Sequence, residues 1–209
     1  MKLFDYNRAP NPIRVRMFLA EKDIEIPLIK VDLMRHQQLS PEYLALNPGG
    51  TVPMLETDDG SYITESLAIC HYLEKLHPEP ALMGTSAIEQ AAVIMWNNII
   101  EAQGIDAIAE VLRNVSPGFR GHVLPGPVPI EQLPQLVQRG QIRVAGFFDR
   151  IEQRLAESRY IAGDNYTFAD ISLFATVDFS DWVETAAKAT RPNLDRWYKE
   201  ISQRPSSRV

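Results

Sequence analysis

Strand-like segments alternate with helical ones over residues 1–80 of this 209-residue chain, and strand signals nearly vanish after them. Residues 2–6 and 25–31 have the apolar, β-branched pattern of strands. Between them, Asn11 and Pro12 favour a helix start, because Asn is a good N-cap and Pro suits the first helical position. Two strands joined by a helix pair in parallel through a right-handed crossover. The first part of the chain is therefore predicted to be a small α+β domain.

The rest of this first part predicts a short helix, a hairpin and a further helix. A helix opens at residues 40–42, and short strands at 52–56 and 62–63 are joined by the turn signal Asp-Asp-Gly at 58–60. The last helix is predicted over residues 65–76, before the prolines at 78 and 80. This order is compatible with several α+β sheets.

Beyond a proline-rich linker at residues 77–85, the pattern is helical throughout. Helices are predicted over residues 87–114, 133–157 and 194–201, with a loop rich in Pro and Gly at 116–129. Thr167 and Asp170 form a predicted capping box at the start of a further helix. The chain therefore divides into predicted domains at 1–80 and 86–209, and the second is all-helical.

Composition excludes several functional classes. With 21 basic and 27 acidic side chains, the net charge is −6, and no basic stripe suggests nucleic acid as a partner. The single cysteine, Cys70, excludes an intramolecular disulfide. No stretch approaches the ~18 consecutive apolar residues of a membrane span, and residues 1–5 have the pattern of a strand rather than a signal peptide. These features predict a cytoplasmic protein with no membrane or nucleic-acid partner.

Two short segments carry the most specific chemistry. They are residues 47–55, Asn-Pro-Gly-Gly-Thr-Val-Pro-Met-Leu, and residues 64–69, Thr-Glu-Ser-Leu-Ala-Ile. A strand edge at Val52 offers backbone hydrogen bonds, and a helix N-terminus at Ser66 offers amide donors to a carboxylate. Glu65 can bind an amino group. Together the two segments predict a clamp for a small peptide, although Glu65-Ser66 alone is more simply a helix start.

With these motifs the chain resembles the glutathione transferase family over nearly its whole length. The resemblance implies a thioredoxin-like N-terminal domain followed by an all-α C-terminal domain, and it implies glutathione as co-substrate with no metal. It also implies that Val52 pairs with the cysteinyl part of glutathione beside a cis Pro53. Glu65 and Ser66 then hold the γ-glutamyl end, and Gln38 and Thr51 are candidates for the glycine carboxylate.

The loop at residues 6–16 is where the family keeps its thiol-activating residue. Free cysteine has a pKa of ~8.5, and lowering it by ~2 units requires about 2.7 kcal/mol of preferential thiolate stabilisation. Ala9 stands where many members carry Ser, Thr or Cys, and alanine cannot donate a hydrogen bond. The loop looks most like the bacterial Nu class, which implies that Asn11 faces the thiol. Asn11 can equally cap the first helix, and Tyr6 is a weaker candidate.

The family also implies a second, apolar electrophile held against the helical domain of a homodimer. One or two of a group of side chains are expected to form its wall, and Arg113 is a candidate for binding an acidic group; the possible wall residues are Trp96, Ile100, Gln103, Phe119 and Trp182. Asp170 is interpreted as a helix cap rather than a catalytic acid, and Cys70 as a small buried thiol.

The predicted activity is therefore glutathione transfer to a small apolar electrophile. A glutathione-dependent peroxidase or disulfide reductase is the nearest alternative. A non-catalytic carrier of glutathione or apolar ligands, which Ala9 favours, and an interaction module that only dimerises remain open. An isomerase of the maleylacetoacetate type fits less well, because its Ser-rich loop is missing.

Overall fold

The computed structural model describes residues 1–209, and its first part is a four-stranded sheet covered by helices. The sheet order is β2-β1-β3-β4, in which β1 and β2 are parallel and the other pairs antiparallel. The strands are β1 Lys2–Asp5, β2 Leu28–Lys30, β3 Met54–Glu56 and β4 Tyr62–Thr64, and the helices are α1 Pro10–Glu21, α2 Pro41–Leu46 and α3 Ser66–Leu76. This arrangement confirms the predicted thioredoxin-like fold.

The first helix begins earlier than its sequence predicts. Pro10 is the first helical residue and Ala9, with φ −85° and ψ 140°, is the N-cap, so Asn11 lies inside the first turn. The prediction that Asn11 caps α1 is therefore wrong, because Pro10 already supplies the φ preferred at that position. Strand β2 is also shorter than predicted, since Pro27 has no N–H to donate to a ladder.

The second part of the chain is all-helical, as predicted. A π-helical segment, Ile100–Ile105, joins α4 to α5 without a break. The helices are α4 Ala87–Ile99, α5 Asp106–Val115, α6 Leu136–Glu157, α7 Phe168–Ser180 and α8 Pro192–Ile201. None of the helices is both long and apolar enough to cross a membrane.

One hydrophobic core and a buried polar cluster join the two parts. A cluster of 36 buried apolar residues includes Phe18 of α1 and Phe168 of α7, whose rings meet edge-to-face at 6.0 Å. Beside them the Arg14 guanidinium, 1% exposed, forms an ion pair of 2.7 Å with Glu101. Arg14 therefore ties α1 to the π-helical segment.

A glycine in the π-helical segment allows close packing against α6 and α7. A Cβ at Gly104 would lie 2.7 Å from Cζ of Phe147 and 3.0 Å from Cγ2 of Thr176. We expect Gly104→Ala to destabilise the protein by about 1–3 kcal/mol, because Phe147 is buried and has no room to move. Urea denaturation measures this loss.

The matched control is Gly146→Ala in α6, where an added Cβ meets no atom within 4 Å. This change is expected to stabilise by about 0.5–1 kcal/mol, through helix propensity alone. Equal effects at the two glycines would show that the contact with Phe147 does not limit the packing.

Candidate functional site

The first turn of α1 has one unpaired backbone donor. The N–H of Ala9 bonds to the carbonyl of Tyr6 at 3.2 Å, and the N–H of Ile13 bonds to Ala9 at 3.3 Å. Pro10 and Pro12 have no N–H. Asn11 is therefore the only residue of the turn whose N–H is present and makes no hydrogen bond within the chain. The partial positive charge at the N-terminus of α1 is therefore presented by the N–H of Asn11.

The side chain of Asn11 is held in a defined orientation. Nη1 of Arg14 donates to Oδ1 of Asn11 at 3.0 Å. Because a guanidinium only donates, the amide oxygen faces Arg14 and the amide nitrogen points the other way. The nitrogen makes no hydrogen bond within the chain. Asn11 thus presents two free donors, its backbone N–H and its side-chain amide.

The turn before β3 presents free backbone groups at Val52. The carbonyl of Thr51 accepts from the hydroxyl of Tyr43 at 2.6 Å and from Nδ2 of Asn47 at 2.9 Å. Burial raises the pKa of Tyr43 to about 12, so its hydroxyl stays protonated and donates. The Val52–Pro53 bond is cis, and the N–H and C=O of Val52 make no hydrogen bond within the chain.

Glu65 and Ser66 lie where β4 turns into α3. Glu65 has φ +67° and ψ 124°, a left-handed backbone that costs energy for a residue other than glycine. The Ser66 hydroxyl donates to the carbonyl of Asn11 at 3.0 Å and so joins the starts of α3 and α1. Because the hydroxyl proton of Ser66 is already donated, the backbone N–H groups of the first turn of α3 remain as donors to a carboxylate.

Gln38 lies beside the Gly49-Gly50 turn, with its carbonyl oxygen 3.2 Å from the position of a Cβ added at Gly50. Its side-chain amide makes no hydrogen bond within the chain, and its Oε1 is buried without a partner. The hydroxyl oxygen of Thr51 accepts from Nδ2 of Asn47 at 3.1 Å and keeps its own proton free. Both side chains can donate to a ligand.

A cavity of about 270 Å³ lies between the starts of α1 and α3 and the helical part. Asn11 and Glu65 line it from the first part of the chain, and five residues around the π-helical segment line the facing wall: Asn98, Glu101, Ala102, Ile105 and Asp106. The sequence analysis missed this wall, although its spacing of three to four residues marks one helix face.

The predicted apolar wall is not at this cavity. Ile100 is fully buried in the core, and Trp96 is buried under the guanidinium groups of Arg150 and Arg154. Gln103 accepts from Arg150 at 3.0 Å on the outer surface. Trp182, which is 46% exposed, lies under Arg8 of the 6–16 loop. Phe119 and Arg113 do not line the cavity either.

Cys70, possible metal ligands and the larger cavity of the protein do not contribute to this site. Cys70 is fully buried, and burial raises the pKa of its thiol, so it is unreactive. No group of three or more His, Cys, Asp or Glu side chains is arranged to hold a metal ion. A larger cavity of about 360 Å³ lies at the linker, near Leu82, Tyr166 and Arg204, and contains none of the predicted site residues.

Comparison with known proteins relates both parts of the chain to one family. The family profile "Glutathione S-transferase, N-terminal domain" matches residues 9–76, and "Glutathione S-transferase, C-terminal domain" matches residues 115–205. The chain is 34% identical to Glutathione S-transferase 2 of Saccharomyces cerevisiae over 212 residues, which cover 99% of this chain and 87% of the yeast protein.

Two further matches cover different shares of the chain. The crystal structure of Gtt2 from Saccharomyces cerevisiae superposes with a TM-score of 0.91 at 32% identity and covers 100% of this chain and 99% of that one. Maleylacetoacetate isomerase of Pseudomonas aeruginosa is 42% identical over 95 residues, which is 44% of each protein.

A four-stranded thioredoxin-like sheet joined to an all-helical part is the architecture of the glutathione transferase fold. The full-length match makes the assignment plain: the chain belongs to the glutathione S-transferase family. Its homologues support a transferase-type enzyme, and the family uses glutathione as co-substrate.

Proposed function

We propose that this protein activates the thiol of glutathione as a thiolate for attack on a small electrophile, with transfer of an alkyl or aryl group. The single observation that carries this proposal is the pair of free donors on Asn11. Asn11 lines the cavity opposite the helical wall, and both its backbone N–H and its side-chain amide nitrogen make no hydrogen bond within the chain.

Two hydrogen bonds to a thiolate supply enough free energy to lower the thiol pKa by two units. Hydrogen bonds to charged groups contribute about 1.5–3 kcal/mol each, against about 2.7 kcal/mol for a two-unit fall in thiol pKa. Arg14 contributes by orienting the Asn11 amide. The ion pair between the buried Arg14 and the partly exposed Glu101 helps to fix this orientation.

The remaining predicted residues bind the rest of glutathione. Val52, beside cis Pro53, pairs through its backbone with the cysteinyl unit. Glu65 binds the ammonium group of the γ-glutamyl end, and the N–H groups at Ser66 bind its carboxylate. Gln38 and Thr51 donate to the glycine carboxylate. The strained backbone of Glu65 supports a functional role, because glycine would adopt that conformation at no cost.

A second candidate, a non-catalytic glutathione carrier, is favoured by Ala9, which leaves the loop without a hydroxyl or thiol at the usual position. Purified protein and glutathione are to be assayed with 1-chloro-2,4-dinitrobenzene, cumene hydroperoxide and a glutathione mixed disulfide, each against the uncatalysed rate. Conjugation supports the transferase proposal, and turnover only of the peroxide or disulfide assigns a peroxidase or reductase. Glutathione binding with no turnover of any substrate would establish the carrier.

A first test of the binding site is Glu65→Gln. Loss of one charge-assisted contact to the ammonium group is expected to weaken glutathione binding by about tenfold or more. Isothermal titration calorimetry measures the Kd. The matched control is Glu25→Gln, the same change at an exposed glutamate outside the site. An unchanged Kd in Glu65→Gln would remove Glu65 from the site.

The domain division at 1–80 and 86–209, cytoplasmic location and homodimeric state are part of the same proposal. Exposed apolar side chains on α4 support self-association: Ile88, Ile94 and Met95 are 77%, 48% and 51% exposed. Light scattering at micromolar concentration tests this state, and a mass of about 24 kDa (23.6 kDa for one chain) would contradict it.

A further inference from the structure

The cavity wall that faces Asn11 is polar and acidic. Of the seven residues that line the cavity, only Ala102 and Ile105 are apolar. Three are carboxylates: Glu65, Glu101 and Asp106. A second substrate that enters this cavity therefore contacts a wall quite unlike the apolar one that the sequence predicts.

The three carboxylates have different partners. Glu101 is neutralised by Arg14 at 2.7 Å. Glu65 is assigned to the ammonium group of glutathione. Asp106 makes no hydrogen bond and no ion pair within the chain. Glu101 is its like-charged neighbour, and the cations that face it, Arg113 and Arg143, lie outside the cavity wall.

Neither of these two arginines forms an ion pair with Asp106. Arg143 donates to Glu110 at 3.1 Å and to the carbonyl of Ala102 at 2.8 Å. The backbone of Arg113 lies seven residues, about 10 Å, further along α5, and its charge attracts Asp106 without forming an ion pair with it. Of the three carboxylates at the cavity, Asp106 is therefore the one with neither an ion-pair partner nor an assigned ligand.

We propose that Asp106 determines second-substrate specificity, and that the site selects electrophiles with a cationic group over those with a carboxylate. The proposal rests on the proposed function, because it takes Asn11 as the position of the sulfur. A cation beyond the sulfur is attracted by Asp106, whereas an anion is repelled by it.

Three glutathione conjugates with six-carbon tails test this selection without any chemistry at sulfur. They are S-hexylglutathione, S-(6-aminohexyl)glutathione and S-(5-carboxypentyl)glutathione, with Kd measured by calorimetry on wild type, Asp106→Asn and the control Glu157→Gln. Glu157 is exposed at the end of α6 and loses the same charge far from the cavity wall. Since these ligands carry no thiol, the result does not depend on thiolate activation.

In wild type and Glu157→Gln, the ammonium-tailed ligand is expected to bind about tenfold more tightly than the carboxylate-tailed one. In Asp106→Asn the ratio should fall to about twofold, while the Kd of S-hexylglutathione stays the same and shows that the site is intact. Added salt should reduce the wild-type ratio.

An equal ratio in all three proteins, or tighter binding of the carboxylate tail, would overturn the proposal. If S-hexylglutathione does not bind, both this proposal and the glutathione site fail. If the ratio holds but conjugation is absent, only the proposed function fails.

Discussion

Replacing Asn11 by alanine is expected to lower kcat/KM for glutathione conjugation roughly 10- to 100-fold near neutral pH. Removal of one donor to a developing anion costs about 10²-fold or more in well-studied active sites, and here the backbone N–H of residue 11 remains. The loss should be largest at low pH and shrink above pH ~9, where free glutathione is itself largely thiolate. Initial rates from pH 6 to pH 9.5 measure it.

The matched control for Asn11→Ala is Asn98→Ala, which removes an amide from the opposite wall of the same cavity. Asn98→Ala is expected to keep the pH profile of wild type. Glutathione Kd and thermal midpoint are measured on both variants, which separates a loss of chemistry from a loss of binding or folding. A wild-type pH profile in Asn11→Ala would contradict the assignment of the thiolate to Asn11.

Asp170→Ala is expected to have the largest effect on stability. Oδ1 of Asp170 accepts from the N–H of Ile161 at 3.0 Å and from Nε1 of Trp197 at 2.9 Å. Oδ2 accepts from the N–H of Thr167 at 3.0 Å and from its hydroxyl at 3.2 Å. Burial raises the pKa of Asp170 to about 6, so the group is still a carboxylate at neutral pH.

Because Asp170 is fully buried, alanine leaves these donors without water or partner. We expect a loss of about 3–5 kcal/mol and a fall of the thermal midpoint by roughly 10 °C. Asp170→Asn keeps one accepting oxygen and should lie between alanine and wild type. Calorimetry and urea denaturation measure both variants.

The second capping box of the chain supplies the control. Glu89 accepts from the N–H groups of Thr85 and Ser86 at the solvent-facing start of α4. Glu89→Ala should therefore cost far less than Asp170→Ala, because water can replace the lost acceptor. Equal losses would show that burial does not set the energy of the Asp170 cap.

The local motifs were predictable because each depends on nearby residues. Ser40 accepts from the N–H of Tyr43 at the helix start predicted over residues 40–42, and Thr167 and Asp170 form the expected cap. The exposed hairpin turn and the prolines that end α3 are likewise local signals. The cis bond at Pro53 was expected from the family resemblance, not from the residues themselves.

The cavity wall was harder to predict because it depends on tertiary packing. Trp96 and Ile100 are apolar residues at helical spacing, and such residues are used first for the core. The π-helical segment and the close packing at Gly104 decide which face of this helix meets Asn11, and neither has a clear sequence signal. The role of Arg14 in orienting Asn11 also required the structure, since it depends on Asn97, Glu101 and Ser172 from distant helices.

The most direct test of thiol activation is the pKa of glutathione bound to the wild-type protein, measured by ultraviolet thiolate absorbance against pH. Two donors on Asn11 predict a bound pKa about two units below that of free glutathione, with thiolate present near pH 7. Glutathione that binds with an unshifted pKa would contradict the account. The free donors of Asn11 would then serve binding alone, and the protein would be a carrier.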